Sequence, residues 1–249
     1  MGTEGETRAL RIDILTLFPD VFEPVLRESI TGRARDAGLI EWIVSDIRRY
    51  TTNKHGKVDD RPFGGGPGMV MACQPLWDAV QDVEKQDDRT ATRVLLTPQG
   101  RPLDQPLVNE LAKRDRLLLI AGHYEGIDER VIEKLEPMEV SVGDYVLSGG
   151  EIPAMLIVDA IGRVLPGALG HELSASEDSF SQVGSDGQPL LDCPHYTRPR
   201  QWMGMDVPEV LIGGNHREIE EWRRGQMIER TQQRRPDLTE RRRTQTHDD

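Results

Sequence analysis

Short apolar segments alternate with helical patterns over the first two thirds of the chain, and this alternation constrains the fold more than any other feature. The segments are rich in leucine and β-branched residues, which favour strands, whereas the stretches between them repeat apolar residues at helical spacing. Predicted strands cover residues 12–17, 39–44, 93–97, 117–120 and 138–142, and predicted helices cover 22–30, 75–83, 107–113, 128–135 and 153–165. Such a series predicts an α/β fold with a mostly parallel sheet and helices on both faces.

Three of the predicted strands end in loops rich in glycine or proline. Residues 98–100 follow one strand, 121–126 follow the next, and 142–150 lead from a third into an apolar helix. Because the carboxyl ends of parallel strands meet at one edge of a sheet, these loops are expected to lie together and to form a small-molecule pocket.

Composition and charge indicate how the 249 residues are organised. Residues 1–10 are interpreted as a disordered extension, 11–170 as the α/β domain, 171–199 as a linker rich in Ser, Asp, Gly and Pro, and 200–249 as a small helical domain. Cys73 and Cys193 fit no disulfide framework or metal spacing, and no signal peptide or membrane span is evident, so a cytoplasmic protein is expected.

The net charge of −12 lies almost entirely in the first 197 residues, whereas the C-terminal part is close to neutral and rich in arginine. Arginine forks suit phosphate oxygens. On charge alone, however, a solvated helix face is the favoured interpretation.

Several common chemistries are not indicated. The sequence has no G-x-G-x-x-G after its first strand, no P-loop and no H-E-x-x-H, and no histidine pairs with a cysteine at ligand spacing. The glycine run at 63–68 is either a flexible surface connection or a loop that lets a nucleic-acid base approach the backbone.

Taken together, these stretches closely resemble the bacterial tRNA (guanine-N1)-methyltransferases, the TrmD-type members of the SPOUT class. The matching blocks, in family order, are LFP at 17–19, VDDRPFGGGPGM at 58–69, GHYEGIDER at 122–130, GDYVLSGGE at 143–151, SASEDSF at 174–180 and LLDCPHYTRP at 190–199. His123 stands where some relatives have arginine, and residues 182–189 form an insertion-like stretch.

The resemblance implies a SPOUT fold: a mostly parallel sheet with a deep trefoil knot, plus a small α-helical C-terminal domain. It also implies S-adenosylmethionine as the methyl donor, bound in the strand-end loops. The matching donor-site residues are Leu96, Pro98, Gly122, Tyr124, Glu125, Gly126, Ser141, Val142, Gly143, Tyr145, Leu147, Gly149, Gly150 and Pro153. Positions matched to the tRNA site are Asp59, Arg61, Gly64, Gly68 and Ser179.

The same resemblance assigns the chemistry. Asp178 matches the general base that removes the proton from guanine nitrogen 1, and Arg163 matches the guanidinium that stabilises charge on O6. From local sequence alone, Asp178 is better interpreted as a helix cap or solvated charge, and Arg163 as a residue that complements a helix C-terminus.

The family further implies a homodimer whose linker and helical domain complete the partner's pocket. The implied target is the guanine 3′ of the anticodon, position 37, preceded by another guanine. Mg²⁺ is implied without a dedicated protein cluster. Two alternatives stay open at this point: an RNA-binding protein that kept the fold without catalysis, and a SPOUT enzyme that acts on another RNA position or on ribose.

Overall fold

The computed structural model describes residues 8–169 and 177–240 of the chain. The chain divides into two compact units, Met1–Gly170 and His171–Asp249. Each unit is described by itself below. Part of the N-terminal extension expected at 1–10, residues 1–7, lies outside the described residues, as does the arginine-rich end of the chain from residue 241.

The first unit is built on a five-stranded sheet with the order β2-β1-β6-β5-β7. All four pairings in it are parallel, with Ile12 opposite Trp42 and Leu117, and Leu119 opposite Val94. The strands are β1 (Leu10–Thr16), β2 (Ile40–Asp46), β5 (Thr92–Pro102), β6 (Arg116–Ala121) and β7 (Met138–Ser141), and a separate antiparallel pair joins β3 (Asp59–Asp60) to β4 (Val70–Met71).

Helices cover both faces of this sheet because its central strands are apolar on both sides. Along β6, Leu117 and Leu119 belong to one core, whereas Leu118 and Ile120 belong to the other. The first core is completed by α1 (Glu23–Leu26), α2 (Ser29–Asp36), α4 (Gln105–Leu111) and α6 (Glu151–Val164), and the second by α3 (Cys73–Glu84) and α5 (Glu129–Leu135). The predicted α/β class with a mostly parallel sheet is confirmed.

Two predicted elements differ in detail. The helix expected over 22–30 is divided into α1 and α2, because Glu28 is extended and Ser29, the first residue of α2, has a positive φ of 55°. The strand expected to end at residue 97 runs to Pro102, and its register against β7 shifts between Leu96 and Arg101, so that both residues are opposite Val140.

A buried ionic network lies at the amino ends of the central strands. The Arg116 side chain is 0% exposed, and its Nε donates to Asp13 Oδ2 at 2.7 Å. Its remaining nitrogens donate to the carbonyl oxygens of Val83, Glu84, Asp87 and Arg89. The carbonyls of Val83 and Glu84 end α3, so this guanidinium closes a helix C-terminus and links it to the sheet.

The same network predicts that the protein loses stability in acid through Asp87. Arg89 donates to both carboxylate oxygens of Asp87 at 2.8 Å, and these bonds hold the pKa of that carboxyl well below its usual range. A lowered folded-state pKa contributes stability above the unfolded value of about 3.9, and that stability is lost as pH falls toward the folded value. We expect the free energy of unfolding, measured in urea, to fall less steeply between pH 5 and pH 2 in Asp87→Asn than in the wild type. Parallel curves would contradict this role.

The second unit contains the longest described helix, α7 (His216–Arg234), followed by α8 (Pro236–Glu240) and preceded by the hairpin strands β8 (Gln201–Trp202) and β9 (Met205–Asp206). Met227 of α7 packs with Leu190 and Cys193. Between the hairpin and α7, the chain forms only a short 3₁₀ turn, Glu209–Leu211. A helical C-terminal region is confirmed, and no described helix in either unit is both long and apolar enough to cross a membrane.

Candidate functional site

The loops that follow β6 and β7 meet at the carboxyl edge of the sheet, beside the irregular C-terminal part of β5. Gly150 N donates to Gly122 O at 2.7 Å, and His123 and Gly149 form an antiparallel bridge, so the loops after β6 and β7 are joined through their backbones. The irregular part of β5, between Leu96 and Arg101, lies against β7, because Gly100 packs directly against Val140. The grouping expected from the strand ends is therefore present.

Two glycines make this close approach possible. A Cβ on Gly150 would lie 2.6 Å from Ala121 Cα, and a Cβ on Gly100 would overlap the backbone between Glu139 and Val140. Larger residues would push the loops apart.

The loop after β7 is held in shape by its own hydrogen bonds. Ser141 Oγ accepts a bond from Gly143 N at 3.2 Å and lies 3.1 Å from Gly143 O, while the Tyr145 hydroxyl donates to Val142 O at 3.1 Å. Gly143 has a φ of 149°. Tyr145, Val146 and Leu147 are exposed beyond it. The loop thus presents polar backbone groups beside apolar surface, which is the combination that a flat heterocycle requires.

Other residues expected at the donor site have buried side chains, so they would contact a ligand through backbone groups. Leu96, Ser141 and Pro153 have buried side chains, and Pro153 lies in the first turn of α6. Pro98 is exposed in the irregular part of β5.

The loop after β6 also lies against the glycine-rich segment. Glu125 N donates to Met69 O at 3.0 Å, and Met71 N donates to Gly126 O at 2.9 Å. A Cβ on Gly68 would overlap the Glu125 carboxylate, and Asp59 is opposite Met71 in the β3–β4 pair. Gly68, expected at the tRNA site, is thus adjacent to Glu125, expected at the donor site, and Asp59 lies opposite the residue that bonds to Gly126.

Tyr124 lies on the same side. Its φ is 63°, its side chain is half exposed, and burial followed by the charge of Asp59 raises the pKa of its phenol.

The tip of the glycine-rich segment is open. Gly64, Gly65 and Gly66 have φ values between 79° and 115°, and a Cβ at any of them would meet nothing within 4 Å. Phe63 is 98% exposed and Arg61 is also exposed. This conformation suits glycine and leaves the backbone accessible to a ligand.

The two expected catalytic side chains belong to different units. Arg163 is half-buried in the last turn of α6. Asp178 is half-buried in the second unit, where its carbonyl accepts from Ser181 N at 3.1 Å. The neighbouring Ser179 Oγ accepts from Asp192 N at 3.0 Å, so this hydroxyl is engaged in holding its own segment.

The sequence reasoning missed a buried carboxylate at this edge. Glu151, the first residue of α6, accepts a hydrogen bond from Thr16 Oγ1 at 2.8 Å and lies 3.5 Å from His123 Nδ1. A charge at the start of an otherwise apolar helix was an available signal, but a first-turn glutamate is usually explained by the helix dipole.

A cluster of potential metal ligands lies in the second unit. Asp192, Cys193 and His195 bring their ligand atoms within 4.8 Å of one another, although their spacing indicated no such site. A 2.7 Å contact between His195 Nε2 and Asp192 Oδ2 accounts for the arrangement. Burial raises the pKa of the Cys193 thiol, which opposes thiolate ligation.

A sizeable cavity lies elsewhere in the first unit. It has a volume of about 540 Å³ and is lined by charged residues of the amino edge, among them Asp87, Arg89 and Arg93. A smaller cavity of about 230 Å³ is lined by residues on both sides of the β3–β4 pair, among them Tyr50, Lys57 and Asp59. Burial and a hydrogen bond to Asp82 raise the pKa of Tyr50 to about 12.

Comparison with known proteins gives a consistent result. Residues 10–241 match the model of the family described as tRNA (Guanine-1)-methyltransferase TrmD. A protein of Pseudomonas putida named tRNA (guanine-N(1)-)-methyltransferase is 53% identical over 231 residues, which cover 93% of this chain and 90% of the relative. Proteins of the same name from Moorella thermoacetica and Pseudomonas syringae pathovar tomato are 51% and 52% identical, covering 92% and 93% of this chain and 90% of each relative.

Proposed function

The chain belongs to the TrmD family of tRNA (guanine-1)-methyltransferases, and from this membership we infer that it transfers a methyl group from S-adenosylmethionine to ring nitrogen 1 of a guanine in tRNA. The observation that carries the proposal is the family match over residues 10–241, which spans all three strand-end loops. The target is guanine 37, on the 3′ side of the anticodon.

The strand-end loops are the proposed donor site. Their junction at Gly122 and Gly150 and the exposed apolar residues after Gly143 fit a donor that combines an adenine ring with a charged amino-acid tail. S-adenosylmethionine supplies the methyl group, and the loops orient it through backbone amides and carbonyls. The trefoil knot is part of this proposal. It is supported by the path of the chain, which leaves β7 at the edge of the sheet and reaches α6 across the end of β6.

Asp178 is the proposed general base and Arg163 the proposed stabiliser of O6. Guanine nitrogen 1 carries a proton, and its loss places negative charge on O6, so a carboxylate and a guanidinium meet the two demands of the reaction. The two residues belong to separate compact units. Following the composite active sites implied by the family, Asp178 of one protomer is assigned to the guanine bound by the other protomer of a homodimer.

The second unit is the proposed tRNA-binding part. Arg223 and Arg234 are exposed on α7 and lie about three helical turns apart, hence on the same side of the helix. Arg224 is committed to the Val183 carbonyl at 2.6 Å and Arg235 to Asp237 at 2.8 Å. Phosphate contacts are therefore assigned first to Arg223 and Arg234. Any Mg²⁺ enters with the substrates, and the reaction takes place in the cytoplasm.

The test is the identity of the methylated nucleoside. The full-length protein is incubated with methyl-labelled S-adenosylmethionine and an unmodified tRNA transcript that has guanine at positions 36 and 37, and the product is digested to nucleosides. We expect 1-methylguanosine, and no label in a matched transcript with adenine at position 37. Donor binding without transfer would indicate a binding protein, and a ribose-methylated product would indicate a different SPOUT reaction.

A further inference from the structure

The carboxylate of Glu151 connects three segments around the proposed donor site. Its Oε1 accepts from Thr16 Oγ1, at the end of β1, at 2.8 Å. Its Oε2 lies 3.5 Å from Nδ1 of His123, in the loop after β6. Glu151 itself ends the loop after β7 and begins α6, and it is only 8% exposed.

The His123 side of this arrangement is incomplete. Among the described residues, His123 Nδ1 is the one buried side-chain nitrogen or oxygen without a hydrogen-bond partner. A separation of 3.5 Å is longer than the roughly 2.7–2.9 Å of a charge-assisted N–H···O bond. Closing the gap requires a movement of less than one ångström, and it removes the cost of leaving a buried polar atom unpaired.

The remaining contacts of His123 hold its ring in place. The Phe18 ring centroid is 4.9 Å away and the Tyr124 ring centroid is 5.2 Å away. Phe18 N donates to Thr16 Oγ1 at 2.9 Å, and the same hydroxyl donates to Glu151. Within this group of contacts, the separation between the carboxylate and the imidazole is the one that exceeds hydrogen-bond length.

Gly149 lies directly over this pair. A Cβ at position 149 would overlap both Glu151 Oε2 and His123 Nδ1. The adjoining Gly150 N bonds to Gly122 O, and residue 149 bridges to residue 123. The junction of the two loops thus rests on the Glu151–His123 pair, and a change in the pair's separation changes the separation of the loops.

We propose that Glu151 and His123 are positioning residues for the methyl donor: their hydrogen bond draws the loops at 122–126 and 143–150 to the separation that donor binding requires. This inference rests on the proposed function, which identifies the ligand of these loops. Neither side chain is assigned to the reacting atoms. The pair acts through the backbone that it supports.

The expected result is a selective loss of donor affinity. Glu151→Ala raises the dissociation constant and the KM for S-adenosylmethionine at least tenfold, with kcat at saturating donor within about threefold of wild type and the KM for tRNA unchanged. His123→Ala has a similar effect, and the double variant is no worse than Glu151→Ala, because residues that act as one unit are non-additive. Glu151→Gln restores donor affinity to within about threefold, since an amide still accepts from Thr16 and donates to an imidazole nitrogen.

Glu129→Ala is the matched control. Glu129 is also the first residue of a helix, α5, but it is exposed and should leave every parameter unchanged. If Glu151→Ala does not fold, Thr16→Val, which removes only the hydroxyl that orients the carboxylate, should still raise the donor KM severalfold.

Donor affinity is measured by equilibrium dialysis of labelled S-adenosylmethionine, without tRNA. Unchanged donor affinity in folded Glu151→Ala, a fall in kcat with an unchanged KM, or failure of Glu151→Gln to restore affinity overturns the positioning role. Donor binding by the wild type without methylation of tRNA overturns the proposed function and leaves this inference testable, whereas absence of donor binding overturns both.

Discussion

Replacement of Asp178 by asparagine is expected to lower kcat for guanine methylation by about a hundred- to ten-thousand-fold, the range typical of general-base catalysis. Asparagine keeps the size of the side chain and a hydrogen-bonding oxygen but cannot take up the proton of guanine nitrogen 1. Because the change removes the proton acceptor and no part of the donor site, the dissociation constant for S-adenosylmethionine should stay within about twofold of wild type. The measurement is single-turnover methyl transfer to the transcript with guanine at position 37.

Asp186→Asn provides the control in the same segment. Asp186 is exposed, and its Oδ1 accepts from Gln188 N at 3.1 Å, a bond that asparagine retains. Its activity should equal that of wild type. If Asp178→Asn retained a third or more of wild-type kcat, the base would have to lie elsewhere. If mixed dimers of Asp178→Asn and Arg163→Ala subunits recovered no activity, catalysis across the dimer would be wrong.

Replacement of Arg116 by methionine is expected to cost about 3–5 kcal/mol of folding stability, the range for removing one partner of a buried ion pair. The change leaves the Asp13 carboxylate, which is 1% exposed, with Arg11 as its remaining cation. It also removes the side-chain donor from four backbone carbonyls. The urea midpoint of the full chain gives the measurement.

Arg114→Met is the matched control, because Arg114 pairs with Glu110 across one helical turn at 2.9 Å and both side chains are at least 40% exposed. Exposed pairs of this kind contribute about 0.3–0.5 kcal/mol. The double variant Asp13→Leu/Arg116→Met should recover part of the loss, since it removes the stranded charge together with its partner. Equal urea midpoints for Arg116→Met and Arg114→Met would refute the structural role of the network.

The fold class could be predicted from sequence because each main strand has a recognisable local pattern. Apolar runs such as 117–120 are buried on both faces. An apolar run of that kind between helical patterns is compatible with few structures other than a buried strand of a parallel sheet. The strand order was not accessible, since β1 finds its neighbour β6 through packing across distant parts of the chain. The network of Arg116 and Asp13 was equally hidden, because charged residues in a strand normally indicate an exposed face.

The candidate site could be predicted in part, again from local sequence patterns. Glycines that end strands mark the loops, and the structure joins Gly122 to Gly150 as that reasoning expected. The pairing of Glu151 with Thr16 and His123 could not be predicted, because it depends on where α6 begins relative to β1 and β6. Residue roles such as that of Asp178 come from the resemblance alone, since local sequence favours a cap or a solvated charge.

The position of β1 between β2 and β6 has a consequence for biosynthesis. Ile12 is synthesised early, and Trp42 can pair with it on one side soon afterwards. Its partner on the other side, Leu117, is synthesised much later. Until β6 emerges, the nascent chain carries an apolar strand edge that can pair with another copy or be shielded by a chaperone. Non-local pairing of this kind also slows folding, so the yield of native protein should depend on the rate of translation through the segment between β2 and β6.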